Sequence, residues 1–186
     1  MAESLRRSKL LQAMTYFATR TTHCGKAKLY WLLYLLDFRV YGATSLPVTG
    51  LEYYASADGP VPLALEDELA SPDQDFVQQF QLNNLVLSNG CRLLSLHARG
   101  PFDPTLFTQL ERRDLDLLGR VLADCPADRI EERRFLPTEP WRQTYELSER
   151  EFALIDYRLA VPGDSLALDA VTVAGVQVLR PVPGGR

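Results

Sequence analysis

The residues that could carry chemistry are few. His23 and Cys24 are the one adjacent imidazole and thiol, a pairing that in other settings makes a nucleophile or half a metal site. Neighbours in a turn rarely face each other, however, and the second histidine, His97, is remote. The other cysteines, Cys91 and Cys125, form no C-x-x-C with it. The turn reading outweighs the catalytic one, and no metal is expected. His97 falls on an expected hairpin strand, where a hydrogen-bonded or surface imidazole is the ordinary outcome. A carboxylate cluster follows the first third of the chain: Glu66, Asp67 and Glu68, then Asp73 and Asp75. Paired carboxylates do acid–base work when burial separates their pKa values, but neighbours on a short amphipathic helix point into water. There is no P-loop, no G-x-G-x-x-G after a strand and no G-x-S-x-G. The sequence points away from an enzyme and implies no cofactor.

The elements that position these residues are read from composition and periodicity. With 186 residues, 46% apolar and 24% charged, the chain has room for a real core and the composition of a soluble globular protein. The three cysteines, odd in number and widely spaced, fit a reducing cytoplasm better than a disulfide scaffold. No secretory signal is readable, and the densest apolar run, Leu29 to Leu36, falls well short of the ~20 residues a membrane helix needs.

Apolar positions Leu10, Leu11, Met14, Phe17 and Ala18 predict an amphipathic helix over 9–19. A second helix over 26–41 is apolar on nearly every side and is therefore expected to be the central, most buried one, with Gly42 as its stop. A strand is expected over 51–57, broken by Asp58-Gly59-Pro60, then a short helix opened by Pro62 and ending near Leu69. Residues 80–87 and 91–96 flank Ser88-Asn89-Gly90 and predict a β-hairpin, since Asn-Gly suits a type I′ turn. Thr108 to Glu111 matches a capping box and opens a helix to about Asp124, with Leu110, Leu117, Leu118, Val121 and Leu122 inward. A shorter helix is expected over 127–135, and a last one from the Ser148–Glu151 capping pattern to about Leu159. The expected fold class is α+β: a mainly helical body around a central buried helix, with a small antiparallel β-hairpin or sheet. Residues 1–160 form the domain and 161–186 a valine-rich appendage, strand-like and then loose.

Charge is distributed unevenly. Residues 1–40 hold seven basic side chains (Arg6, Arg7, Lys9, Arg20, Lys26, Lys28, Arg39) against Glu3 and Asp37, a net of +5, which leaves −9 for the rest of a chain of net −4. Between Arg39 and Arg92 there is no Lys or Arg, while Glu52, Asp58, Glu66, Asp67, Glu68, Asp73 and Asp75 all lie there. Such a block either steers a basic partner or forms a solvated face. The overall acidity makes nucleic acid an unfavourable partner.

From Tyr34-Leu35-Leu36-Asp37-Phe38 through Tyr41-Gly42, Leu46-Pro47-Val48-Thr49-Gly50-Leu51-Glu52-Tyr53-Tyr54-Ala55 and Gly59-Pro60-Val61-Pro62 to Leu65, the ordered pieces resemble the Panacea domain, also called the SocA-like antitoxin domain. A weaker likeness runs to Trp141. Glu139-Pro140-Trp141 is kept, but Phe135-Leu136 stand where the family places a histidine. The resemblance implies an antitoxin that neutralises a protein toxin encoded beside it by direct contact, without catalysis.

The matching residues also have a reading of their own. Asp37, near the C-terminal end of a buried helix, is disfavoured there by the helix dipole and must be paired or hydrogen-bonded, most simply to a loop amide or hydroxyl. Tyr41 shares its face. Gly50, Gly59, Pro60 and Pro62 stiffen the loop before any partner arrives. On that loop Tyr53, Tyr54 and Asp58 are candidate anchors, and at least one of the two tyrosines should turn into the core. With Glu66, Asp67 and Glu68 they make the expected docking face for a toxin with a basic active surface. The alternative is a phage or mobile-element accessory or regulatory protein that binds another protein, or DNA through Arg6, Arg7, Lys9 and Lys26.

Overall fold

A computed structural model describes residues 2–22, 24–86, 92–132, 136–148 and 152–161. The order is α1 (Ala2–Arg20), α2 (Lys26–Thr44), β1 (Tyr54–Ser56), β2 (Gly59–Val61), α3 (Leu63–Ala70), α4 (Gln74–Gln79), β3 (Phe80–Val86), β4 (Arg92–Ala98), α5 (Gln109–Val121), α6 (Glu139–Leu147) and β5 (Ala153–Leu154). Short 3₁₀ turns lie at Pro104–Leu106, Ala127–Arg129 and Tyr157–Ala160. The fold is α+β and mainly helical. Among the described residues no helix is long and apolar enough to cross a membrane.

α2 is central because its sequence leaves no polar face. Leu32, Leu33, Tyr34, Leu35 and Leu36 are all fully buried, and α1, α5, β2 and the Tyr157–Ala160 turn pack around it. Each such side chain contributes roughly 1.5–3 kcal/mol by leaving water. Lys28 is buried on the same helix and donates to the Thr22 and Ala123 carbonyls, at 2.7 and 2.9 Å. Its ammonium thereby satisfies carbonyls just beyond the C-terminal ends of α1 and α5.

Several boundaries differ from the sequence expectation for physical reasons. α1 starts at Ala2 rather than near Lys9, its first turns being polar and therefore silent in an apolar periodicity. α2 passes through Gly42 and ends at Ser45, whose left-handed backbone (φ 59°) returns its amide to the Tyr41 carbonyl at 2.7 Å. Gly42 instead gives room to the Ala160 carbonyl oxygen, which a Cβ would approach to 2.9 Å. The expected breaker Asp58-Gly59-Pro60 is part turn and part strand: Ser56 pairs with Gly59, Ala55 with Pro60 and Tyr54 with Val61. β5 adds on the other side of β1, giving the order β2-β1-β5. α4 has too few residues for a periodic signal, and Phe76 is its buried anchor.

The hairpin β3–β4 forms in continuous register from Phe80 opposite Ala98 to Val86 opposite Arg92; its Ser88-Asn89-Gly90 turn and Cys91 lie outside the described residues. The Thr108–Glu111 capping box is present, with the Thr108 amide donating to Glu111 at 2.7 Å. α5 ends at Val121 rather than near Asp124. Leu118 and Leu122 are buried as expected, while Leu110, Leu117 and Val121 are half-buried and Leu115 takes the deeper place.

Two expected helices are corrected. Over 127–135 the described part is a 3₁₀ turn, Ala127–Arg129. Ser148 does not open a helix: it closes α6, which grows out of the Pro-rich stretch because Pro140 sits in a first turn that needs no amide. Past α6 the described chain forms the short strand β5 and the Tyr157–Ala160 turn. The valine-rich segment 162–186 lies outside the described residues.

Candidate functional site

Asp37 organises the loop after α2. It is fully buried, and its carboxylate accepts from the Thr49 amide at 2.7 Å, the Thr49 hydroxyl and the Tyr53 hydroxyl at 2.9 Å. Tyr157 brings its hydroxyl to 3.2 Å of the same carboxylate and donates to the Leu51 carbonyl at 2.6 Å. Burial pushes the Asp37 carboxyl above its ordinary value, against the opposing pull of the Thr49 and Tyr53 donors. Burial beside Asp37 likewise drives the Tyr53 and Tyr157 phenols upward. The expected loop amide and hydroxyl are thus both Thr49's. Tyr41 stacks near Tyr157, with ring centroids 5.1 Å apart. Gly50 holds the left-handed backbone this loop requires (φ 71°).

The β1–β2 hairpin is seated on two indoles. Trp31 and Trp141 meet edge to face at 5.1 Å. The Trp141 ring nitrogen donates to the Ser56 carbonyl at 3.1 Å, and its amide donates to the Tyr34 hydroxyl at 3.0 Å. Gly59, at φ 124°, lies so close to Trp31 that a Cβ would come within 2.5 Å of the indole nitrogen. Pro60, within β2, and Pro62, at the start of α3, are both buried. Gly50 and Gly59 take backbone angles that other residues rarely adopt.

The candidate anchors divide. Tyr53 is 0% exposed and is corrected from a docking residue to a core one, since its hydroxyl is committed to Asp37. Tyr54 alternates outward and is half-exposed; Asp58 is exposed at the hairpin turn. Of the run Glu66, Asp67 and Glu68, only Asp67 is an exposed carboxylate without an ion pair among the described residues. Glu66 bonds Lys26 at 2.6 Å and the Tyr30 hydroxyl at 2.8 Å. Glu68 and Asp75 both hold Arg7, the latter at 2.8 Å through two nitrogens. The basic helices and the Lys- and Arg-free interval thus neutralise each other, and Glu66 and Glu68 are not the free docking face that sequence order implied. Glu68, Asp73 and Asp75 lie close enough to share a cation, and the Arg7 guanidinium already supplies positive charge to two of them.

No family model matches the chain, and no curated protein or solved structure shows significant similarity to it. The functional reading therefore rests on the geometry and on the motif residues themselves.

Next to the hairpin lies a groove of about 600 Å³. Leu63 from α3, Tyr145 from α6 and Phe152 before β5 stand around it at 38%, 44% and 47% exposure, with the Lys26–Glu66–Tyr30 cluster at one side. Tyr145 is held there by stacking on Trp141, the rings nearly parallel with centroids 5.8 Å apart. Phe152 is turned out by a left-handed backbone (φ 59°). Sequence reasoning missed all three. Phe152 sat within an expected helix, Tyr145 in a stretch with no assigned element, and Leu63 in the first turn of α3, where one apolar residue carries no signal.

The thiol and imidazole candidates are placed elsewhere. Cys24 is buried, and burial pushes its thiol up, opposite to what a nucleophile needs; His23 lies outside the described residues. His97 is exposed on β4, 3.2 Å from the Ser95 hydroxyl, as a surface imidazole.

Proposed function

We propose that this chain works by binding another protein, as an antitoxin that masks a toxin encoded beside it. The observation that carries the reading is the convergence of Leu63 from α3, Tyr145 from α6 and Phe152 from the turn before β5, half-exposed, around one groove. Large apolar side chains held out into water on a preorganised surface are what a protein partner recognises, because little ordering entropy is left to lose on contact. Asp37, the residue whose burial would best suit proton transfer, has its oxygens occupied by Thr49 and Tyr53 donors and serves the loop. The ordered motif from Tyr34 to Leu65 adds the antitoxin role by resemblance. A DNA-binding reading loses support, since of Arg6, Arg7, Lys9 and Lys26 only Arg6 is exposed without an ion pair among the described residues, the other three being committed to carboxylates of the same chain.

The test is to express the neighbouring small reading frame alone and with this one. Growth arrest relieved by co-expression, and a complex of the two products on a sizing column, are the expected results. Arrest without relief removes the antitoxin role.

A further inference from the structure

A second depression, of about 330 Å³, lies on the far side of the hairpin turn. It shares Ala27, Ala57 and Asp58 with the larger groove, so the turn stands as a post between two lobes of one surface. The lobes differ in chemistry. The larger carries the apolar trio, whereas the smaller has Trp31 against it and carries three carboxylates: Asp58, Asp128 and Glu131. All three are exposed and make no ion pair among the described residues. Of the described cations nearby, Lys26 is paired with Glu66 at 2.6 Å, Arg129 with Glu132 at 2.7 Å while also feeling the charge of Asp128, and Arg142 with Glu139 at 3.2 Å. A partner entering here meets an apolar slot beside a rim of three exposed carboxylates that hold no ion pair among the described residues.

We propose that the two-lobed surface receives a basic amphipathic segment of the partner, an aromatic or aliphatic side chain entering between Tyr145 and Phe152 while Lys or Arg side chains reach Asp58, Asp128 and Glu131. This rests on the protein-binding reading above and specifies the partner's chemistry. An acidic segment would meet like charge on the rim, a cost that discriminates between partners as strongly as the apolar slot attracts them. The acidic contribution thus comes from the hairpin turn and the segment after α5, and not from the Glu66–Glu68 run.

The test is selection of a displayed random-peptide library on the purified full chain, with two variants for comparison. Ala27→Arg fills the junction of the lobes from an exposed helix position. The triple variant D58K/D128K/E131K reverses the rim at three exposed positions. Unchanged circular dichroism and urea midpoints establish that both remain folded. Enriched peptides are expected to carry net positive charge around an apolar anchor. Synthesised, they should shift the emission of Trp31 and Trp141, the chain's two tryptophans. Their affinity should fall about tenfold or more on either variant and weaken with added salt. Failure to enrich any peptide, enrichment of neutral or acidic peptides, or equal binding to the variants overturns the proposal. So does a dimer of this chain that Ala27→Arg abolishes, which would make a second copy the occupant. The two readings fail separately: growth rescue retained by both variants removes this surface but leaves the antitoxin role, whereas basic peptides selected at the groove without any rescue remove that role alone.

Discussion

Thr49 gives both its amide and its hydroxyl to the carboxylate of Asp37, closing the loop after α2 onto the helix that precedes it. The pair is buried, and Tyr53, just before β1, and Tyr157, from the far end of the described chain, complete it. One carboxylate therefore binds the helix, the loop, the small sheet and the last 3₁₀ turn together.

Asp37→Ala leaves the Thr49 amide and two hydroxyls buried without an acceptor, each costing roughly 1–3 kcal/mol. A loss of about 3–5 kcal/mol is expected in urea unfolding. Tyr157→Phe, which removes a peripheral hydroxyl, should cost about 1 kcal/mol. Equal losses for the two variants would contradict a central role for Asp37.

The Arg7 cluster makes an acid-side prediction. Hydrogen bonds from Arg7 hold the Asp75 carboxyl below its ordinary value. The sign comes from linkage: a depressed folded-state pKa contributes stability fully present above the ordinary carboxylate value of about 3.9 and lost as pH falls through the depressed one. Arg7→Gln should lower stability by about 1 kcal/mol at neutral pH. The gap between wild type and variant should close below about pH 3.9. Urea midpoints measured across pH check both halves.

Glycine positions separate sharply. Gly59→Ala would drive a Cβ into the Trp31 indole at a backbone angle that side chains avoid, and should cost about 2–4 kcal/mol. Gly100→Ala meets nothing nearer than 4.0 Å and should leave the thermal midpoint nearly unchanged.

Charge reversal in α3 should likewise discriminate. Asp67→Lys is expected to change stability by less than about 0.5 kcal/mol. Glu68→Lys places a like charge against Arg7 and should cost about 1–2 kcal/mol. The residue with the greater structural cost is therefore a poor probe of binding, and loss of partner affinity in Glu68→Lys requires a stability control.

Glu111 serves two partners, capping α5 through the Thr108 amide and holding Lys9 at 2.6 Å. Glu111→Gln keeps a group able to accept the cap bond but surrenders the ion pair, whereas Glu111→Ala loses both. Thermal melts should rank wild type above Gln and Gln above Ala, with the last step about 1 kcal/mol.

What could be read along the chain was whatever is written at short range. The all-round apolar character of 26–41 foretold the buried helix, the Asn89-Gly90 pair between two apolar-rich runs the hairpin, Thr108 and Glu111 the cap, and the isolated carboxylate of Asp37 its need for a loop donor. Short-range patterns mislead where several elements accept the same residues, so Ser148–Glu151 looked like a helix start although Ser148 closes one. Tertiary structure alone decided that Arg7 meets Glu68 and Asp75, 61 and 68 residues away, and that β5 pairs with β1. It also decided that Leu63, Tyr145 and Phe152 share one groove. Local backbone preference is a property of a few neighbouring residues, whereas ion pairs, sheet partners and surface clefts depend on the distances that packing imposes between elements, and no stretch of sequence states those distances.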